Sequence, residues 1–332
     1  MLHALSRFGR RRTLQGGVAA VVVLGLLLWW VLPIGEEEPS GSLTFSTGVR
    51  SGVYQRYGQR LEGALAKDMP KVSIRLRTSE GSQENIERVA TGKADFTIAT
   101  ADAVATYRQG RKPGAGRLRG CVRLYDDYVQ LIVPRDSGIR TVADLRGKRV
   151  GVGQRGSGVL LVADRLMKAA AIDPTTDITP VHAGIDTMPE RLADGRLDAF
   201  FWSGGLPTGA VQDLSEKFAI RLVPLDEPLI SELQAVGGST RYYRSAVMPA
   251  DAYPDAQQGQ AVQTVAVSNL LITTDRMDPL TTEAFTRTVI DSRDRIGREV
   301  HSAQLVDLRT AIYTDPLPLH EGARRYYRSA KP

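Results

Sequence analysis

The 332-residue sequence predicts an α/β protein of two similar lobes, each a parallel sheet flanked by helices. Three observations carry that expectation. Apolar β-like runs alternate with amphipathic helical patterns from residue 42 onward, and the alternation restarts after residues 128–133. Two Gly- and Ser-rich strand-to-helix turns, residues 47–54 and 151–158, occur one in each half.

In chain order, residues 42–47 read as a strand, 54–67 as a helix, 72–77 as a strand, 82–91 as a helix and 94–99 as a strand. Strands separated by helices imply βαβ units and parallel pairing. The second cycle gives strand 148–153, helix 159–171, strand 178–182, helix 188–195 and strand 197–202. Residues 90–96 and 192–200 echo each other: a helix end, a Gly that can cap it, and a strand opening on Asp. Residues 264–273 then read as a strand returning to the first lobe, and 281–296 as one long amphipathic helix completing it; 242–260 carry no assignment. The expected division is a first lobe of 42–130 plus about 250–332 and a second of about 131–249, with hinge crossings near 128–133 and between 224 and 269.

Composition agrees with that frame. A chain of this length exceeds one comfortable core, and 42% hydrophobic with 24% charged residues is ordinary for a water-soluble fold. The formal net charge is +6, with no basic run beyond Arg7, Arg10, Arg11 and Arg12, so no nucleic acid partner is expected, while a mild positive excess suits anionic ligands. Cys121 is the only cysteine, and His3, His182, His301 and His320 are widely separated. No intrachain disulfide, metal site or cofactor is therefore expected.

Residues 16–34 form an uncharged apolar run of about nineteen residues, long enough to cross a bilayer as a helix. Arginines precede it and Glu36, Glu37 and Glu38 follow, an arrangement that exports everything after residue 35. Residues 1–41 are thus expected to be a basic cytoplasmic tip, a membrane anchor or signal sequence, and a short tether. Residues 31–35 offer no clean small-x-small cleavage site, which favours the uncleaved anchor.

The two turns 47–54 and 151–158 carry the chemistry. A helix N-terminus presents unpaired N–H groups and about half a positive charge, so a small carboxylate caught between two such turns is held without a catalytic side chain. Residues 151–156 also match G-x-G-x-x-G, but Asp173 precedes the next strand and residues 181–182 supply no carboxylate for a ribose, so the dinucleotide fingerprint is incomplete. Ser157 and Ser203 lie in no nucleophile elbow, and residues 145–149 lack the rest of a P-loop. Asp126 and Asp127 read as surface or hinge residues. The expectation is binding rather than catalysis.

Residues 47–54, 80–85, 92–95, 144–151, 156–158, 201–207 and 316–320 with Tyr326 and Tyr327, taken in that order, resemble the TAXI family, the solute receptors of one branch of tripartite ATP-independent periplasmic (TRAP) transporters. The resemblance implies a two-lobed periplasmic-binding-protein fold of type II that captures a small organic anion and delivers it to an integral membrane permease subunit. The family's ligands centre on glutamate, 2-oxoglutarate and related dicarboxylates. Carried over motif by motif, it implies ligand contacts at Ser51, Gly52, Val53 and Tyr54, at Thr78 and Ser82, at Thr100, at Gly156, Ser157 and Gly158, and at Trp202, Ser203 and Gly204. Two departures bear on the ligand: residues 100–102 read Thr-Ala-Asp where the family often has Gln and Ser before the Asp, and Val159 replaces a common Thr. Arg50 and Arg155 stand where small or uncharged residues are usual, and bidentate guanidinium contacts there would favour a doubly anionic ligand. Two other readings stay open: an extracytoplasmic sensor coupled to a membrane signalling partner, which would use the same fold, and an NAD-binding oxidoreductase.

Overall fold

A computed structural model describes residues 22–23 and 38–330. The chain divides into two compact units, residues 1–38 and 39–332. Val22 and Val23 are helical, and the rest of the expected span 16–34 lies outside the described residues. Among the described residues no helix is long and apolar enough to cross a membrane.

The second unit is built on ten strands, β1 (Gly41–Ser46), β2 (Val72–Arg77), β3 (Phe96–Thr100), β4 (Leu118–Pro134), β5 (Arg149–Gly151), β6 (Thr179–Val181), β7 (Ala199–Gly204), β8 (Ile220–Val223), β9 (Tyr243–Met248) and β10 (Val262–Thr274). They run in the order β2-β1-β3-β10-β4-β7-β5-β6, with β8 beside β4 and β9 beside β10. Pairing is parallel within β2-β1-β3 and within β7-β5-β6, as strand–helix alternation predicts. Pairing turns antiparallel wherever β4 or β10 takes part. These two long strands lie side by side from Leu118↔Thr274 to Tyr128↔Ala266, and each runs on into the second half of the sheet.

The helices are α1 (Val53–Asp68), α2 (Ser82–Ala90), α3 (Ala101–Gln109), α4 (Gly158–Ala169), α5 (Met188–Ala193), α6 (Gly209–Lys217), α7 (Glu227–Ala235), α8 (Pro254–Gln257), α9 (Pro279–Asp291), α10 (Arg293–Gly297), α11 (Leu308–Ala311) and α12 (Glu321–Ser329). The cores divide the molecule into two lobes. On one face of the first lobe, Phe45 and Phe96 stack on Phe285 in a cluster with Tyr57, Val122 and Leu271, and Ile86, Val104 and Leu270 fill the other face. Leu131, Val150, Leu166, Phe200 and Phe201 centre the second. Along β4 the change of core falls between Tyr125 and Val129, and along β10 between Val267 and Leu270.

Three expectations need correction. Residues 128–133 are only the end of β4, whose first half was hidden because Arg119 and Arg123 interrupt the apolar run; they reach out to Asp275 and Asp126. The helix expected over 281–296 breaks at Ser292, whose Oγ donates to the Thr288 carbonyl 2.6 Å away, a local bond that competes with helix continuation. The unassigned stretch 242–260 supplies β9 and α8, and Tyr243, Met248, Tyr253 and Ala256 pack into the second core, although the sequence reading gave residues after about 250 to the first lobe.

Candidate functional site

Four βα connections deliver a helix N-terminus to the line where the lobes meet. After β1 the chain turns tightly, Gly52 N donating to Val49 O at 2.9 Å, and α1 starts from Gly52 without a side-chain cap. Any Cβ on Gly52 would stand 3.1 Å from that oxygen, which accounts for the glycine. Helix α2 starts from Gly81, whose φ of +127° only glycine adopts readily, again uncapped. Helix α3 follows β3 directly from Thr100, whose Oγ1 is buried without a partner. In the second lobe α4 starts from Ser157, and there the hydroxyl accepts from Leu160 N at 3.0 Å.

These ends surround a cavity of about 60 Å³, which is room for roughly four to five waters. Gly52, Val53, Tyr54, Ser82 and Thr100 line it from the first lobe; Ser157, Gly158, Trp202, Ser203 and Gly204 line it from the second. The remaining sequence candidates lie elsewhere. Arg50, Thr78, Arg155 and Gly156 line an outer crevice that shares Val49, Glu80 and Gln154 with the cavity, and the Arg50 and Arg155 side chains are exposed. Ser51 lines a different crevice beside Arg56 and Thr208. The sequence reading missed Asp127, Gln154, Gly184 and Met188 as lining residues. Of these Gln154 lies within the turn 151–158 already singled out, and Asp127 carried a signal of its own, an acid inside a run otherwise fit for a buried strand.

A polar network ties the first wall together. Tyr54 OH donates to Asn269 Oδ1 at 2.5 Å and lies 3.1 Å from Ser82 Oγ, which accepts from Thr100 N at 3.2 Å. Burial pushes the Tyr54 hydroxyl well above its usual range, with Asp127 adding to the shift, so it stays a neutral donor. Asp127 itself is 4% exposed on β4, and its Oδ1 has no hydrogen-bond partner. Burial raises its carboxyl to about 7; contact with Asn269 opposes the shift, while Asp126 and Asp102 add to it. On the second wall Trp202 Nε1 donates to Thr208 Oγ1 at 2.9 Å, fixing the ring, whereas Ser203 Oγ is buried without a partner.

The lobes touch around the cavity. Gln83 Nε2 donates to Ser157 O at 2.7 Å, and Glu84 N, an orphan donor of the first turn of α2, donates to Gly156 O at 3.1 Å. Arg165 on α4 bonds Asp102 Oδ2 at 3.0 Å and Thr106 Oγ1 at 2.7 Å in the first lobe, and Tyr243 OH and Ser239 Oγ beside them. A Cβ on Gly158 would meet Ser82 Oγ at 3.2 Å. Within the G-x-G-x-x-G stretch, Gly151 packs inside β5 where a Cβ would meet Phe200 at 2.7 Å, and Gly153 and Gly156 hold φ near +86° and +88° to turn the chain into α4. Those glycines serve packing and turning. Among the described residues no group of three His, Cys, Asp or Glu could hold a metal ion.

The fold is similar to that of a putative L-cystine ABC transporter protein from Listeria monocytogenes, at 13% identity over 80% of this chain and 98% of that one, with a TM-score of 0.50. It is similar to an ancestral arginine-binding protein solved with arginine, at 15% identity over 78% of this chain and 97% of that one, TM-score 0.50. The alkanesulfonate-binding protein of Xanthomonas axonopodis pv. citri aligns at 18% identity over 89% of this chain and 86% of that one, TM-score 0.48. At such identities the first two likenesses speak for the fold, the two-lobed architecture of periplasmic binding proteins. The sequence pattern of one family matches residues 45–330, and the chain belongs to that family, the NMT1-like family.

Proposed function

We propose that this chain is an extracytoplasmic solute receptor that closes two lobes, residues 42–127 with 268–330 and residues 128–267, around a small carboxylate-bearing solute. The observation that carries the reading is the meeting of helix N-termini from both lobes, with the unpartnered hydroxyls of Thr100 and Ser203, at one small cavity. Donor groups without fixed charge suit carboxylate oxygens, and β4 and β10 form the hinge. Arg50 and Arg155, exposed at the outer crevice, draw anions toward the mouth.

The finer reading follows the TAXI resemblance: the solute is glutamate, 2-oxoglutarate or a related dicarboxylate, residues 16–34 anchor the receptor to the membrane, and a TRAP-type permease accepts the solute. Thermal melting of the full chain with a panel of small carboxylates tests the receptor role. A ligand at about 100 times its Kd adds about 2.7 kcal/mol of stability. A panel without any shift refutes the reading. The permease role is tested by uptake in proteoliposomes, which must depend on added receptor.

A further inference from the structure

We propose that Asp127 sets the specificity of this cavity by accepting the ammonium group of a zwitterionic ligand, so that the site takes α-amino carboxylates and rejects the matching oxo acids and plain dicarboxylates. This rests on the receptor reading above and narrows its ligand class.

The charges around the cavity are one-sided. Among the described residues lining it there are two acids, Glu80 and Asp127, and no Lys, Arg or His. Glu80 is exposed, whereas Asp127 is buried with Oδ1 unpartnered. Neighbouring arginines are committed elsewhere. Adjacent residues on a strand face opposite sides, and Asp126, on the other side of β4 from Asp127, takes Arg123 at 2.9 Å, Arg244 and the Ser268 hydroxyl at 2.8 Å. Arg165 is spent on Asp102. Asp127 is thus the acid of this cluster that the fold leaves without a cation.

A buried carboxylate without a countercharge is stabilised by a proton or by a cation brought from outside. A dianion brings neither, and its second charge would face Asp127 with no base between them. An α-amino acid brings both complements at once. Its carboxylate suits the uncapped starts of α1 and α3 at Gly52 and Thr100, and its ammonium suits Asp127 on the strand that joins the lobes. Tyr54 OH and the Asn269 amide, bonded to each other beside Asp127, complete a polar wall for the amine.

Calorimetry of the full chain with matched sets that keep the skeleton and change one group tests the assignment: L-glutamate, 2-oxoglutarate and glutarate; L-aspartate, oxaloacetate and succinate; L-alanine, pyruvate and propionate. In whichever set binds, the amino member should bind about tenfold or more tighter than its partners, the worth of one charge-assisted hydrogen bond. Asp127→Asn should shrink that ratio to within about threefold. An oxo or unsubstituted acid that binds as tightly as the amino acid overturns this assignment and leaves the receptor reading standing. Absence of binding in every set overturns both. Should Asp127→Asn not fold, the wild-type ratio decides alone.

Discussion

The two walls of the cavity are built to one plan and finished differently. Both come from βα turns that end in a helix N-terminus, yet the first lobe leaves α1 and α3 uncapped, with Gly52 and Thr100 at their starts, whereas the second caps α4 with the Ser157 hydroxyl. An N-terminus that satisfies itself has less to offer a ligand, and one that does not is poised to accept an anion. In the proposed receptor, the first wall is the one that would grip the ligand. The second contributes cover through Trp202 and closure through Arg165, Gly156 and Ser157.

Removing the tie between the walls has the largest expected effect. Asp102 has 2% side-chain exposure and Arg165 16%, so Arg165→Met strands a buried charge and should cost about 3–5 kcal/mol in urea denaturation. A loss below about 1 kcal/mol would mean the lobes do not depend on that tie.

Next comes the joint itself. The Asp127 carboxyl titrates near 7 in the folded chain and near 3.9 when unfolded. Between those values the folded state binds more protons, so the contribution of this group to stability is full at low pH and is lost as pH rises through about 7. Asp126, lowered by its arginines, works in the opposite sense, losing its contribution as pH falls. Subtracting an Asp127→Asn variant isolates the term. The wild type should lose stability relative to the variant as the ligand-free chain is taken upward from about pH 4 to about pH 8, and a flat difference would contradict the burial of this carboxyl.

A contrasting pair of single substitutions then measures the difference between the walls. Ser157→Ala should cost about 1 kcal/mol of stability through the lost cap while changing ligand affinity little. Thr100→Val removes an unpartnered hydroxyl, so stability should hold or rise while affinity falls about fivefold to tenfold. Equal effects of the two on affinity would dissolve the asymmetry. Smallest is Arg155→Ala at the outer crevice, expected to slow association and weaken its salt dependence with affinity within about threefold. A loss of more than about tenfold in affinity would instead place the guanidinium on the bound ligand.

Local patterns were legible wherever a short stretch specifies its own conformation. The helix–Gly–Asp phrase found twice in the sequence is one device used twice. Gly92 and Gly195 take φ of +77° and +69° to end their helices. The following acids then bond both ways to the neighbouring strand: Asp95 N donates to Thr44 O and its carboxylate accepts from Thr44 N at 2.7 Å, while Asp198 does the same with Arg149 at 2.8 Å. The turns behaved similarly, since the residues at Gly52, Ser82, Ser157 and Gly158 needed only their own connection to reach the cavity edge. Arg50 and Arg155 did not follow, because a residue at a turn tip points away from the helix end it precedes; both side chains stand in the outer crevice.

By itself the sequence determined the alternation of strand and helix, its restart in a second lobe and the glycine-marked helix starts, because propensity, periodicity and positive φ act over a few residues. Tertiary structure decided which charges were left over. That Asp126 and Asp127 face opposite sides follows from strand geometry. Which of them meets arginines and which meets the cavity depends on β9, which brings Arg244 to Asp126 from more than a hundred residues away, and on Arg165 binding Asp102 from the other lobe. Strand periodicity fixes a direction relative to neighbours in sequence, and only packing supplies what lies in that direction.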